Sequence, residues 1–240
     1  MRNKIILSAV TAALIGFTGT AGAVTTSTLA ALSDGGSLSI GDKVFSGFNF
    51  QADGLTSFNA ANINVTASIG TDGVYYLTWS GNMTLSTLAS AAPVSADLKL
   101  NYIVTATAGQ IHMIDQSYTG GMTGGRGSLS IAETVATGSF GGPIVANSHL
   151  DLNDMSDPNA EVGGQNIVGD NLNVDPAQSV LYVTKDINFS AISLGDLATV
   201  TVSQVSQSFH QTAVPDGGMT LALLGAGISG LAFIKRKITV

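Results

Sequence analysis

Leu98-Lys99-Leu100-Asn101-Tyr102-Ile103-Val104-Thr105-Ala106 decides the fold. Leu98, Leu100, Tyr102, Val104 and Ala106 fall on every second position. A period of two is that of a β-strand with one face turned inward. Upstream, Ile63, Val65, Ala67 and Ile69 alternate with Asn64, Thr66 and Ser68. Downstream, Leu129 with Ile131 and Val200 with Val202 repeat the pattern. Residues 44–51, 74–80, 110–115 and 180–189 are further strand candidates. Between them stand turn signals: Ser33-Asp34-Gly35-Gly36, Thr71-Asp72-Gly73, Gly120-Gly121 and Gly141-Gly142-Pro143. Sustained helical periodicity is absent from residues 24–213, apart from a short turn expected near 29–32. Many short strands with Gly-rich turns predict an all-β domain, a β-sandwich or jelly-roll-like fold.

Residues 147–176 interrupt the pattern with Asp, Asn and Gly and read as a long loop. Asp151, Asp154 and Asp157 in it are hard oxygen ligands of the kind calcium takes, which makes them a candidate Ca2+ site. Their spacing fits neither an EF-hand nor a Gly-rich nonapeptide repeat, and a solvated loop is the plainer reading. Tyr75 and Trp79 share a strand face with Leu77. Exposed, they would stack on a sugar; beside Leu77 they read more simply as core.

Composition narrows the partners. The chain has 240 residues and no cysteine, and only 10% of it is charged. Disulfides and thiolate zinc sites are therefore unavailable. Within residues 24–213, four basic residues stand against fifteen acids. A body this acidic repels phosphate backbones, so nucleic-acid binding is not expected. His112, His149 and His210 are far apart in sequence, and no nucleophile elbow or metalloprotease helix appears. Glu133, one of two glutamates, lies on the Ile131/Val135 face and reads as a strand-edge or bulge residue. No catalytic residues are assigned, and an enzyme is not expected.

The two ends carry addresses. Arg2 and Lys4 precede an apolar run over residues 5–17, and Ala21 and Ala23 place small residues before Val24. That order is a secretory signal peptide, residues 1–23, cleaved before Val24. At the other end, residues 219–234 are uncharged and lead into Lys235, Arg236 and Lys237. Such a helix would be about 24 Å long, short of the roughly 30 Å hydrocarbon core. Snorkelling lysines and local thinning close the gap. The basic cluster is expected to stop transfer on the cytoplasmic side, leaving the body outside.

Val214-Pro215-Asp216-Gly217-Gly218, the apolar helix and the basic cluster together resemble the PEP-CTERM class of sorting tails, in the variant that begins Val-Pro-Asp. The resemblance spans residues 214–240. It implies an exosortase-type processing enzyme as partner, transient anchoring in the inner membrane, and a producer that makes extracellular polysaccharide. The domain over residues 24–213 would then be an exported, non-enzymatic structural component of a biofilm or exopolysaccharide matrix. A carbohydrate-binding module is the alternative, and a polysaccharide hydrolase a more remote one.

Overall fold

A computed structural model describes residues 23–89, 92–153 and 169–212. Residues 1–22 of the signal peptide, the sorting tail with its apolar stretch, and Asp154 and Asp157 lie outside the described residues. Twelve strands follow in order: β1 Val24–Thr28, β2 Leu38–Ile40, β3 Lys43–Asp53, β4 Asn64–Ile69, β5 Tyr75–Thr87, β6 Val94–Ala106, β7 Gln110–Thr123, β8 Arg126–Ala136, β9 Ile144–Asn153, β10 Gly169–Gln178, β11 Val180–Ile192 and β12 Ala198–Thr212. A short helix, α1 Leu29–Ser33, follows β1. Thr28 starts it by accepting a hydrogen bond from the Ala31 N–H at 3.3 Å, which satisfies one orphan donor of the first turn. Among the described residues no helix is long and apolar enough to cross a membrane.

The strands form two six-stranded antiparallel sheets. Sheet one has the order β1-β4-β5-β12-β7-β10, and sheet two β2-β3-β6-β11-β8-β9. Packed face to face they make a β-sandwich, so the expected all-β architecture holds. The alternation of 98–106 does what its period implies. Leu98, Leu100, Tyr102 and Val104 are buried, while Lys99 is exposed and Asn101, Ile103 and Thr105 are half-buried. The buried residues share one continuous core with Phe45, Ile131 and Val183 of their own sheet and Leu77, Trp79 and Phe209 of the other.

Two sequence readings are corrected. Residues 147–176 are not a single loop. Their ends belong to β9 and β10, which lie at the outermost position of their sheets. Edge strands need few inward apolar residues, and polar side chains keep them from pairing with other chains. That polarity is what made them look like a loop. Gly120 and Gly121 are likewise not a turn. They lie within β7 and pair with Val202 and Thr201. A Cβ on Gly120 would sit 2.5 Å from the Thr201 carbonyl oxygen, so this glycine permits close approach of two strands.

The pairing partner, β12, is bulged between Val202 and Gln204. One extra residue reverses the face parity of a strand. Val200 and Val202 point inward before the bulge, and Val205, Gln207 and Phe209 after it. Ser203 at the bulge donates to the Thr119 carbonyl at 3.1 Å.

Candidate functional site

The parity change leaves Thr199, Thr201, Ser206, Ser208 and His210 on the outer face of sheet one. Hydroxyls there pair across strands, each at 3.0 Å: Thr26 with Thr66, Thr78 with Ser206, Thr84 with Thr201, and Ser86 with Thr199. The face is polar but carries little charge. Within it Ser68, Tyr76, Ser208, Asp115 and Asn171 stand side by side in register across five strands. An open pocket of about 240 Å³ is lined by Tyr76, Asp115, Ser117, Asp170, Ser206 and Ser208, among others. The Tyr76 hydroxyl donates to Asp72 at 3.1 Å. Burial, then that bond to the Asp72 carboxylate, holds its pKa above the usual tyrosine value.

Ser208, His210 and Asp115 meet beside this pocket. The Ser208 hydroxyl donates to Asp115 Oδ2 at 3.0 Å. His210 Nε2 is 2.7 Å from the same oxygen and 3.2 Å from Ser208 Oγ. A relay needs the carboxylate on one ring nitrogen and the hydroxyl on the other. Here the hydroxyl and the same ring nitrogen, Nε2, converge on one carboxylate oxygen, and the hydroxyl donates to the acid. The cluster gathers a hydroxyl, an imidazole and a carboxylate that can hold polar ligands.

Tyr75 and Trp79, the candidate sugar platform, follow the plainer reading. Trp79 is 1% exposed and packs on Tyr102 with ring centroids 5.2 Å apart. It presents no face to a sugar. Tyr75 is half-buried, and Lys43 Nζ lies 4.2 Å from its ring centroid, so a cation occupies that face. Lys43 itself is buried. It donates to Asp42 at 2.7 Å and to Gln211.

Asp151 lies at the edge strand β9, paired with Ser130, and its carboxylate is 2.9 Å from His149 Nε2, both side chains more than half exposed. Among the described residues no three His, Cys, Asp or Glu side chains gather to hold a metal.

Glu133 is neither an edge nor a bulge residue. It points into the sandwich from the middle of β8 and forms an ion pair with Lys185, directly opposite on β11. Both are fully buried. Lys185 Nζ also donates to Gln116 Oε1 at 2.9 Å. Gln207 Nε2 donates to Glu133 Oε1 and to the Asp115 carbonyl, each at 3.1 Å. Gln116 Nε2 donates to Ser148 Oγ on β9. Desolvation pulls the Lys185 pKa below the ordinary lysine value, and the Glu133 charge opposes it only in part. Burial, with that same charge, raises the nearby Tyr102 hydroxyl well above the tyrosine range.

The sequence reading missed this cluster, though a signal was present. Each polar residue occupies an inward slot between apolar ones. Glu133 lies between Ile131 and Val135, Lys185 between Val183 and Ile187, Gln116 between Ile114 and Tyr118, and Gln207 between Val205 and Phe209. The Ser208–His210–Asp115 meeting left no such trace, because it depends on strand register.

Residues 213–238 match the family model described as the VPDSG-CTERM motif. The tail is thus a PEP-CTERM-like sorting signal, with Gly217 where the motif's name has serine. A C-terminal motif of this kind points to an exported surface protein. No curated protein matches the chain. Among solved structures, the infectious bursal disease virus VP2 subviral particle is similar at 14% identity and TM-score 0.38, over 57% of this chain and 32% of that one. The structure titled "CBM4 structure and function" aligns at 12% identity and TM-score 0.27, over 60% and 75%. A family 29 carbohydrate-binding module aligns at 11% identity and TM-score 0.21, over 78% and 89%. At TM-scores this low the likenesses say nothing of what the chain does.

Proposed function

We propose that this chain is an exosortase-sorted surface protein whose β-sandwich serves as a non-enzymatic structural component of an extracellular polysaccharide or biofilm matrix. The sorting tail at residues 213–238 carries the reading. The sandwich agrees with it. Lys185 and Glu133 are buried in the interior, and the outer face of sheet one is a row of paired hydroxyls with little charge. Replacing Val214-Pro215-Asp216-Gly217 with alanines tests the tail. Wild-type protein is expected in the matrix fraction with its C-terminus removed, and the variant in the membrane fraction with Val240 intact. Wild-type protein retaining Val240 and staying in the membrane would overturn the sorting role. Wild-type protein processed and found free in the medium, with none in the matrix, would overturn the structural role.

One observation favours a second reading, glycan binding. The pocket beside Tyr76 joins an aromatic ring to convergent hydroxyl, amide and carboxylate groups, the set that orients a neutral sugar. Affinity electrophoresis through the producer's own polysaccharide is expected to retard the wild type and not Tyr76→Ala. Equal mobility of the two would remove this reading and leave the structural one standing.

A further inference from the structure

The geometry points to an intramolecular amide cross-link between Lys185 Nζ and the side-chain carbon of Gln116, formed inside the folded sandwich with Glu133 moving the protons. Gln116 lies on β7 in sheet one and Lys185 on β11 in sheet two, so the bond ties the two sheets together. This inference is independent of the matrix role.

Three features carry it. Nζ is 2.9 Å from Gln116 Oε1. With a C=O bond of about 1.2 Å, the amide carbon lies within about 4 Å of the amine, close to near-attack distance. Glu133 contacts the same Nζ and is held in place by Gln207. All four side chains are buried, so the nucleophile is poorly hydrated. The desolvation that lowers the Lys185 pKa favours its neutral, nucleophilic form.

The step balances without a co-reactant. Glu133 takes one proton from the Lys185 ammonium. The freed lone pair attacks Gln116 Cδ, and the carbonyl electrons move to Oε1. Glu133 passes its proton to Nε2. The Cδ–Nε2 bond breaks with its electron pair on nitrogen, and the carbonyl re-forms as ammonia leaves. Glu133 then takes the second proton from the acylated Nζ. A neutral amide and a protonated Glu133 replace the buried ion pair, which removes two charges from the core. Gln116 Nε2 points toward Ser148 on β9, and Gln116 also lines the open pocket, so ammonia has a way out. Glu133 is the weaker acceptor, because as a carboxylate it resists attack and carries no ready leaving group.

The test is a tryptic digest of the full chain, expressed with its signal, exported and denatured. Lys43, Lys99, Arg126 and Lys185 are the only tryptic sites in residues 24–213. The expected result is that the fragment 100–126 stays joined to the fragment carrying Lys185, at one ammonia below their summed mass, with no cleavage after Lys185. Separate fragments with free cleavage after Lys185 would overturn the proposal. Free fragment 100–126, together with a fragment from residue 127 that is uncleaved at Lys185, lighter by one water and looped internally to Glu133, would overturn the choice of Gln116. Lys185→Arg is expected to give only separate fragments. Glu133→Gln, checked for folding by circular dichroism, is expected to do the same, and a joined species in it would overturn the proton-transfer role. The wild-type digest decides the cross-link whether or not either variant folds.

Discussion

Lys185 and Glu133 face each other as a direct cross-strand pair from β11 and β8, and neither side chain reaches solvent. An isolated charge in such a place is costly, so the two are held together by necessity. In protein that has not formed the cross-link, Lys185→Met, which removes one partner, is expected to destabilise the domain by about 3–5 kcal/mol. Lys185→Met combined with Glu133→Leu is expected to regain most of that loss. Urea unfolding of the wild type, Lys185→Met, Glu133→Leu and the double variant measures the coupling, and additive losses would contradict it.

Trp79 belongs to the core. Trp79→Ala is expected to cost about 3–5 kcal/mol through the cavity beside Tyr102. Tyr76→Ala, on the outer face, is expected to change stability by roughly 0.5 kcal/mol or less. Thermal melts of the two variants separate the roles of these neighbouring aromatics. Comparable losses would place Tyr76 in the packing as well.

At Gly120 of β7 the Thr201 carbonyl of β12 occupies the space a Cβ would need. Gly120→Val is expected to push the strands apart and cost about 1–3 kcal/mol by overpacking. Gly73 has nothing near its missing Cβ but a φ of +78°. Gly73→Asn, which tolerates that conformation, is expected to be nearly neutral. Chemical denaturation of both variants compares steric crowding with backbone strain.

Asp97 on β6 sets a pH dependence. Burial first, then a hydrogen bond and repulsion from Asp186, raise its pKa from 3.8 to about 6. The folded state therefore holds this proton more tightly than the unfolded state does. The stabilisation is complete below about 4 and is lost as the pH rises through about 6. Because the group is partly exposed, solvent screening keeps the effect to about 1 kcal/mol or less. Asp97→Asn is expected to flatten the stability profile between those limits and to raise stability at neutral pH. Melting temperatures across the range check the sign, and an unchanged profile would remove Asp97 from the account.

What the sequence conveyed follows from what a strand period can encode. Leu98, Leu100, Tyr102 and Val104 announce an inward face because burial acts on each of them separately. The candidate site was less legible. Ser208, His210 and Asp115 meet only after the bulge at Val202–Gln204 resets the face of β12 and the β7 register brings Asp115 opposite Ser208. No local pattern carries that sum of two shifts. The strands β9 and β10 were hidden for a different reason. Edge strands are polar by requirement, and Asn171 and Asn173 of β10 spell a loop as readily as an edge.

The sheet orders also impose a sequence of events on the growing chain. The strands β11 and β12 are the last two described, yet each lies third from an edge in its sheet, β12 between β5 and β7 and β11 between β6 and β8. Until residues 180–212 emerge, each sheet exists as two halves with open inner borders, which are natural templates for illicit pairing with other chains. An exported chain that crosses a membrane N-terminus first therefore reaches the far side as an unfinished arch. The keystones arrive last, immediately ahead of the sorting tail.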